Sequence, residues 1–288
     1  MKHGKLLSAL TAGLMVLSAG CSRPSADDPA NANMLTIKGS DTMVHLVNAW
    51  AEAYMEAHPD SNIAVTGGGS GTGIAALLNG TTDLCMASRD IKPEELEAAK
   101  EVGVELTEHS VALDGIAVVV NPENGLSELS LEQIGKIFTG EYTNWQQAGG
   151  EDRPIVVLSR ESSSGTYVFF REHAMGDLDY SVDTRYLPAT ATIVQQVGED
   201  KGAIGYVGLG YAESAKDKVK SLGVIKAEGA EAVMPTMETV KDESYSIARA
   251  LYLYQPGGAP EIADEFIAFC FSDEGQDIVE ETGYVRVK

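Results

Sequence analysis

Short apolar runs alternate with longer stretches whose apolar positions recur every three or four residues, and the alternation holds through most of the chain. Runs at 63–66, 84–87, 115–120, 155–158, 203–207 and 250–254 predict strands, because each is short, apolar and bounded by turn residues. The periodic stretches predict helices at 42–57, 72–78, 93–101, 131–139, 166–175, 190–199 and 260–271. Strand followed by helix, many times over, predicts α/β layering with largely parallel sheets. About 255 residues follow position 33, enough to bury the cores of two modest lobes. No repeat of solenoid period is visible.

The first residues break this pattern. Lys2 and Lys5 precede an apolar stretch, 6–17, that is too short for a permanent bilayer span and suits a signal-peptide core. The stretch runs into Leu17-Ser18-Ala19-Gly20-Cys21, which resembles the lipobox of bacterial lipoproteins, although Ser18 stands where leucine is usual. That resemblance implies a signal peptide at 1–20 and a lipidated Cys21 as the first mature residue. Residues 21–33, polar and without period, predict a flexible tether. No later run approaches the length of a membrane span, so the sequence predicts an extracytoplasmic body held to a membrane by a lipid.

Charge narrows the partners. Loss of residues 1–20 removes two lysines and no acid, which leaves 19 Lys and Arg against 43 Asp and Glu, a formal charge of −24. Nucleic acid and anionic membrane surfaces are excluded as partners by such a field, and an anionic ligand must be held by short-range donors. Cys85 and Cys270 sit inside apolar runs and predict buried free thiols, with a disulfide between them as the alternative in an oxidising compartment. The five histidines have no ligand spacing, and no metal or cofactor motif is present. Asp177, Asp179 and Asp183 lack the glycine and glutamate of a calcium loop.

The triplet Ser-Gly-Thr occurs twice, at Ser70-Gly71-Thr72 and Ser164-Gly165-Thr166, each time between a predicted strand and a predicted helix. A third strand-to-helix turn carries Gly39-Ser40-Asp41-Thr42. A helix start leaves N–H groups without internal partners and carries about half a positive charge, so hydroxyl residues there can hold a tetrahedral oxyanion. The plain alternative is that these residues only cap helices. Arg160, four residues before Ser164, tips the balance, because a guanidinium pairs with two oxyanion oxygens at once. Its own alternative is a surface ion pair with Glu161 or Glu172.

The segments Lys38-Gly39-Ser40-Asp41-Thr42, 67–73, Ala87-Ser88-Arg89, 114–121, Ile137-Phe138-Thr139-Gly140, Thr143-Asn144-Trp145, Arg160 with Ser164-Gly165-Thr166, and Gly202-Ala203-Ile204-Gly205-Tyr206 resemble the phosphate-binding lipoproteins of Pst-type ABC importers. The resemblance spans nearly the whole mature chain and keeps the motif order. It implies a two-lobed periplasmic-binding-protein fold of type II, with lobe I at 34–116 and 246–288, lobe II at 117–245, and two strand crossings near 114–118 and 244–250. It implies a non-enzymatic, monomeric protein that captures phosphate and delivers it to permease subunits. The implied ligands are Ser40, Thr42, Ser70, Arg160, Ser164, Gly165 and Thr166. Arg89 replaces the aspartate that accepts the phosphate proton in the best-known members, and it either contacts phosphate or locks onto Asp114. Asp41 is then the nearest candidate acceptor for that proton, with helix capping as its alternative. Competing functions are capture of molybdate, tungstate or sulfate, a phosphomonoesterase using Ser70 or Ser164, and an adhesion or signalling module on the same fold.

Overall fold

The computed structural model describes residues 33–287, so the predicted signal peptide, Cys21 and all of the tether before Asn33 lie outside the described residues. The chain begins with β1 (Met34–Gly39), α1 (Val44–Ala57), β2 (Asn62–Thr66), α2 (Ser70–Leu78), β3 (Leu84–Ala87), α3 (Pro93–Glu101) and β4 (Leu106–Val120). There follow β5 (Glu128–Ser130), α4 (Leu131–Phe138), β6 (Val156–Arg160), α5 (Gly165–Ala174), β7 (Arg185–Leu187), α6 (Thr190–Glu199), β8 (Ala203–Gly208) and α7 (Leu209–Ser214). Next come β9 (Lys220–Ser221), β10 (Gly223–Ile225), β11 (Ala232–Val233) and α8 (Met237–Lys241). The chain returns through β12 (Ala248–Pro256) to α9 (Glu261–Cys270) and α10 (Asp273–Glu281).

One curled sheet carries both lobes, in the strand order β2-β1-β3-β12-β4-β8-β6-β7, with β9 also on β4; β5, β10 and β11 form a small sheet of their own. Pairing is parallel in each flank, where β1 lies between β2 and β3 and β6 lies between β7 and β8. At the centre it is antiparallel, β12 with β3 and β4, and β4 with β8. The difference from a mainly parallel sheet has a simple cause: β4 carries the chain out of one lobe and β12 carries it back. The 15-residue β4 pairs with β12 from Leu106 to Gly115 and with β8 from Ile116 to Val120, so a single strand serves both lobes.

In β3, β8 and the second half of β4 side chains alternate across the strand and are buried on both faces, which is why these segments read as continuous apolar runs. Ile116, at the crossing, and Val118 and Val120 of lobe II meet α4 and α5 through Ile137, Phe138 and Phe170, whereas Ala117 and Val119 meet α6 through Ile193 and Val197. In lobe I, Leu84 and Met86 pack with Trp50, Tyr54 and Phe266 from α1 and α9, whereas Cys85 and Ala87 pack with Ile74 and Leu77 of α2. Cys85 and Cys270 fall in different clusters and are free, buried thiols. Each buried indole finds an acceptor, as desolvated N–H groups must. Trp50 Nε1 donates to the Gly275 carbonyl at 2.7 Å and Trp145 Nε1 to that of Gly202 at 3.0 Å.

Candidate functional site

The strand ends of lobe I bring three serines together. β1 stops at Gly39, whose φ is +149° and where a Cβ would stand only 2.0 Å from the Met86 carbonyl oxygen, so the position admits no side chain. The chain can therefore turn against β3 and present Ser40. Ser40 precedes a 3-10 turn, Asp41–Met43, yet its hydroxyl does not cap it. Instead Ser40 Oγ donates to Ser88 Oγ at 2.7 Å. Ser70 opens α2 behind Gly69, and its Oγ accepts the Ser88 N–H at 3.0 Å. Helix capping thus fails to account for Ser40 and Ser70, and all three serines are buried.

Lobe II meets this cluster with the start of α5. Ser164 does cap its helix, its Oγ accepting the Tyr167 N–H at 3.4 Å. Gly165 and Thr166 come next, in the first turn, where a helix supplies no partner for its N–H groups. Thr166 Oγ1 lies 2.7 Å from Thr42 Oγ1 of lobe I. A Cβ on Gly165 would stand 2.3 Å from Ser70 Oγ and 2.8 Å from Ser88 Oγ, so only glycine lets the helix start touch the serines. Beside it, the Gly71 N–H donates to the Ser163 carbonyl at 3.0 Å and Ser163 Oγ to the Gly68 carbonyl at 3.3 Å. The glycine-rich loop is thus the seat that receives lobe II.

Three arginines surround the hydroxyls, each with a carboxylate. Arg249, absent from the residues singled out in the sequence, is the central one. Its Nε and Nη2 donate to Asp114 Oδ2 at 3.2 and 2.8 Å, Nη1 to the Ser88 carbonyl at 2.6 Å, and Nη2 also to Thr166 Oγ1 at 3.0 Å. Arg160 is 2% exposed and pairs with neither Glu161 nor Glu172. It donates to the Leu187 and Pro188 carbonyls at 3.3 and 2.8 Å and to Thr190 Oγ1 at 2.6 Å, and its Nη1 lies 3.5 Å from Asp41 Oδ2. Guanidinium has five N–H donors, so three hydrogen bonds leave two over.

Arg89 does not lock onto Asp114, because Arg249 holds that carboxylate. The Arg89 Nη atoms bind Glu95 at 2.8 and 2.7 Å, and Glu95 in turn caps α3 through the Lys92 N–H. Arg89 Nε is buried without a partner among the described residues. Asp41 Oδ2 accepts the Thr190 N–H at 2.7 Å, across the cleft. The structure therefore gathers Ser40, Thr42, Ser70, Gly165 and Thr166 at one point, sets Arg160 and Asp41 on one flank, and turns Arg89 toward α3.

Burial governs the ionisation here. It raises the Asp114 pKa above the ordinary carboxylate value, against the charge and hydrogen bonds of Arg249 and the Leu209 N–H. It lowers the Arg160 pKa, against the nearby Asp41, though a guanidinium keeps its charge at any physiological pH.

Two lobes on a shared strand, closed over a buried cluster of hydroxyls, helix starts and arginines, define a bilobal solute-binding protein. A family model described as the PBP superfamily domain matches residues 24–274. The phosphate-binding protein PstS of Staphylococcus haemolyticus is 33% identical over 99% of this chain and 93% of its own length. That of Bacillus subtilis is also 33% identical, over 100% of this chain and 95% of its own. A crystal structure of a substrate-binding protein assigned to a phosphate ABC transporter of Clostridium perfringens, with bound phosphate, is 35% identical. It superposes with a TM-score of 0.80 over 89% of this chain and 100% of that one. The chain belongs to the PstS family of phosphate-binding proteins.

Two outcomes follow from the geometry. Gly165→Ala should hold the lobes apart and enlarge the radius of gyration in small-angle scattering, while the melting temperature stays near that of wild type, because alanine is a better helix former than glycine. Arg249→Met should cost about 3–5 kcal/mol near neutral pH, since it leaves Asp114 buried without its cation. With Arg249 gone, the folded Asp114 pKa rises further above its unfolded value of about 3.9. Stability from a raised carboxyl is present in acid and lost as pH rises through the folded pKa, so the deficit relative to wild type should shrink on acidification. Urea titrations of both proteins over a pH series check this, and a deficit independent of pH would contradict it.

Proposed function

We propose that this chain captures inorganic phosphate between its lobes and delivers it to an ABC permease. The observation that carries the reading is the meeting of Ser40, Thr42, Ser70, Ser88 and Thr166 from both lobes in one buried cluster next to Arg249. The ligand set is Ser40, Thr42, Ser70, Ser164, Gly165, Thr166 and Arg160, with Ser88 and Arg249 added. Arg89 has a place in it through Nε and the second Nη2 N–H, the donors that Asp90 and Glu95 leave over. The lobes are 34–116 with 246–288, and 117–245, a division supported by the change of partner along β4 between Gly115 and Ile116, one residue earlier. Micromolar affinity needs about −8 kcal/mol, and a few charge-assisted hydrogen bonds of about 1.5–3 kcal/mol each supply it after closure.

The protein acts outside the cytoplasm as a monomer on a lipid anchor at Cys21. Among the described residues no helix is long and apolar enough to cross a membrane. The family's members named above are binding proteins, and the serines fit that role. The hydroxyls of Ser70 and Ser164 are engaged by Ser88 and by the Tyr167 N–H, not by a general base.

Calorimetry of the mature chain against phosphate, sulfate, molybdate and tungstate tests the ligand, and tighter binding of any of the other three would replace phosphate as the cargo. Arg160→Ala should weaken phosphate binding by about 2–5 kcal/mol and Arg160→Lys should restore part of it, because an ammonium lacks the planar fork. Unchanged affinity in both would place the ligand elsewhere. Cys21→Ser should leave unprocessed precursor or free the protein from the membrane fraction. Metabolic lipid label that persists in this variant would contradict the anchor.

A further inference from the structure

Asp41 belongs to lobe I, but the partners of its Oδ2 lie in lobe II. Its Oδ2 accepts the N–H of Thr190, the first residue of α6, at 2.7 Å. The residue in the N-cap position of α6 is Ala189, whose side chain can cap nothing. Alanine ranks among the poorest residues there, where serine, aspartate and asparagine lead. The carboxylate missing from lobe II is supplied across the cleft by lobe I. Two further lobe II groups approach the same residue: Arg160 Nη1 stands 3.5 Å from Oδ2, and the Tyr211 hydroxyl donates to the Asp41 carbonyl at 3.3 Å. On the opposite flank of the hydroxyl cluster, Ser163 meets the glycine-rich loop through Gly68 and Gly71. The closed cleft is therefore held on both sides, on one through Ser163 and on the other through Asp41.

We propose that Asp41 is an interlobe latch that caps α6 only when the lobes are closed, and so sets how long the bound anion is retained. The proposal rests on the reading of the chain as a phosphate-capture protein. It assigns Asp41 a positioning role: Oδ2 takes the Thr190 N–H and faces Arg160, and Oδ1 stands beside Gly67. Opening the lobes uncovers the first turn of α6, and closing them restores its cap, so the free energy of a cap is coupled to the free energy of closure.

The test separates the Thr190 N–H from its hydroxyl, which accepts from Arg160 at 2.6 Å. Thr190→Val removes the hydroxyl alone, and Thr190→Pro removes the hydroxyl and the N–H. Proline is well tolerated at the first position of a helix, and Ala189, at φ −126° and ψ 146°, already has the extended conformation that a following proline demands. Phosphate release is followed by stopped flow. Asp41→Ala should release phosphate about fivefold faster than wild type, the fold-change a lost cap of typical strength produces. Thr190→Pro should release it faster than Thr190→Val by a similar factor, and Asp41→Asn, which keeps an acceptor oxygen, should fall between Asp41→Ala and wild type. The preference for phosphate over sulfate should stay the same throughout. Equal rates for the two Thr190 variants, or wild-type release from Asp41→Ala, would overturn the latch. Loss of the phosphate preference in Asp41→Asn would also overturn it, by placing the carboxylate on the ligand. If wild type binds no phosphate, it is the functional reading that falls. Small-angle scattering of the ligand-free chains then decides the latch: Asp41→Ala and Thr190→Pro must be more open than wild type and Thr190→Val, and equal radii would refute it.

Discussion

A guanidinium and a carboxylate face each other where the chain crosses between the lobes. Arg249 on β12 and Asp114 on β4 are direct partners in the antiparallel register, and neither has access to bulk water. Either charge alone in that position would cost several kcal/mol. Together they are tolerated because every strong direction is used. Asp114 takes Arg249 on one oxygen and the Leu209 N–H on the other, and Arg249 extends to the Ser88 carbonyl and to Thr166. One ion pair thereby touches the end of β3, the start of α5 and the start of α7. Phe169 of α5 packs its ring 5.6 Å from the same guanidinium, a cation–π contact made from lobe II. The pair sits one residue before Gly115, after which β4 leaves β12 for β8. It fixes the position from which both halves of the site are hung.

The pairing repeats around the site and explains how so acidic a chain can hold an anion. Arg249 with Asp114, Arg160 with Asp41 and Arg89 with Glu95 give three cations, each with its own carboxylate. The cluster offers directed donors without a net positive charge. On the proposed reading, recognition rests on hydroxyl and N–H groups within hydrogen-bond reach, which act only once water is excluded. Repulsion from the surface acids fades over a Debye length of about 8 Å at physiological salt, whereas the contacts of the closed cleft do not depend on salt in that way.

Much of this is legible in the sequence where local chemistry decides structure. α3 and α6 lie at the predicted bounds, and both Ser-Gly-Thr triplets open helices. The parts that escape are those that only tertiary contact defines. The first half of β4, Leu106-Thr107-Glu108-His109-Ser110, has no apolar run, and it is a strand because β12 pairs with it. Short α7 and α8 have little periodicity of their own and give no sign in the sequence. Arg249 stands at the edge of a predicted strand, where a cation ordinarily marks the boundary with solvent. A signal is present all the same: Asp114 and Arg249 are lone charges of opposite sign, one in each of the two segments expected at the lobe crossings. Pairing Asp114 with Arg89 picks the wrong cation, because Glu95, six residues beyond Arg89, reads in sequence as part of a solvated helix face.

The glycines complete the argument, because they show that the site exists only as a fit between the lobes. At Gly165 a methyl group would collide with Ser70 and Ser88, and at Gly69 it would collide with the Ser163 carbonyl. Such spacing leaves no slack for a partly closed site in which the hydroxyls of lobe I and the helix start of lobe II act together. Binding and closure are then one equilibrium, and any contact between the lobes adds to affinity whether or not it touches the ligand. On the proposed reading this is why residues outside the hydroxyl cluster, such as Gly71, Ser163 and Asp41, contribute to binding in energetic terms. By the same argument, a ligand around which the lobes cannot close is rejected by their failure to meet, before any difference in hydrogen bonding is felt.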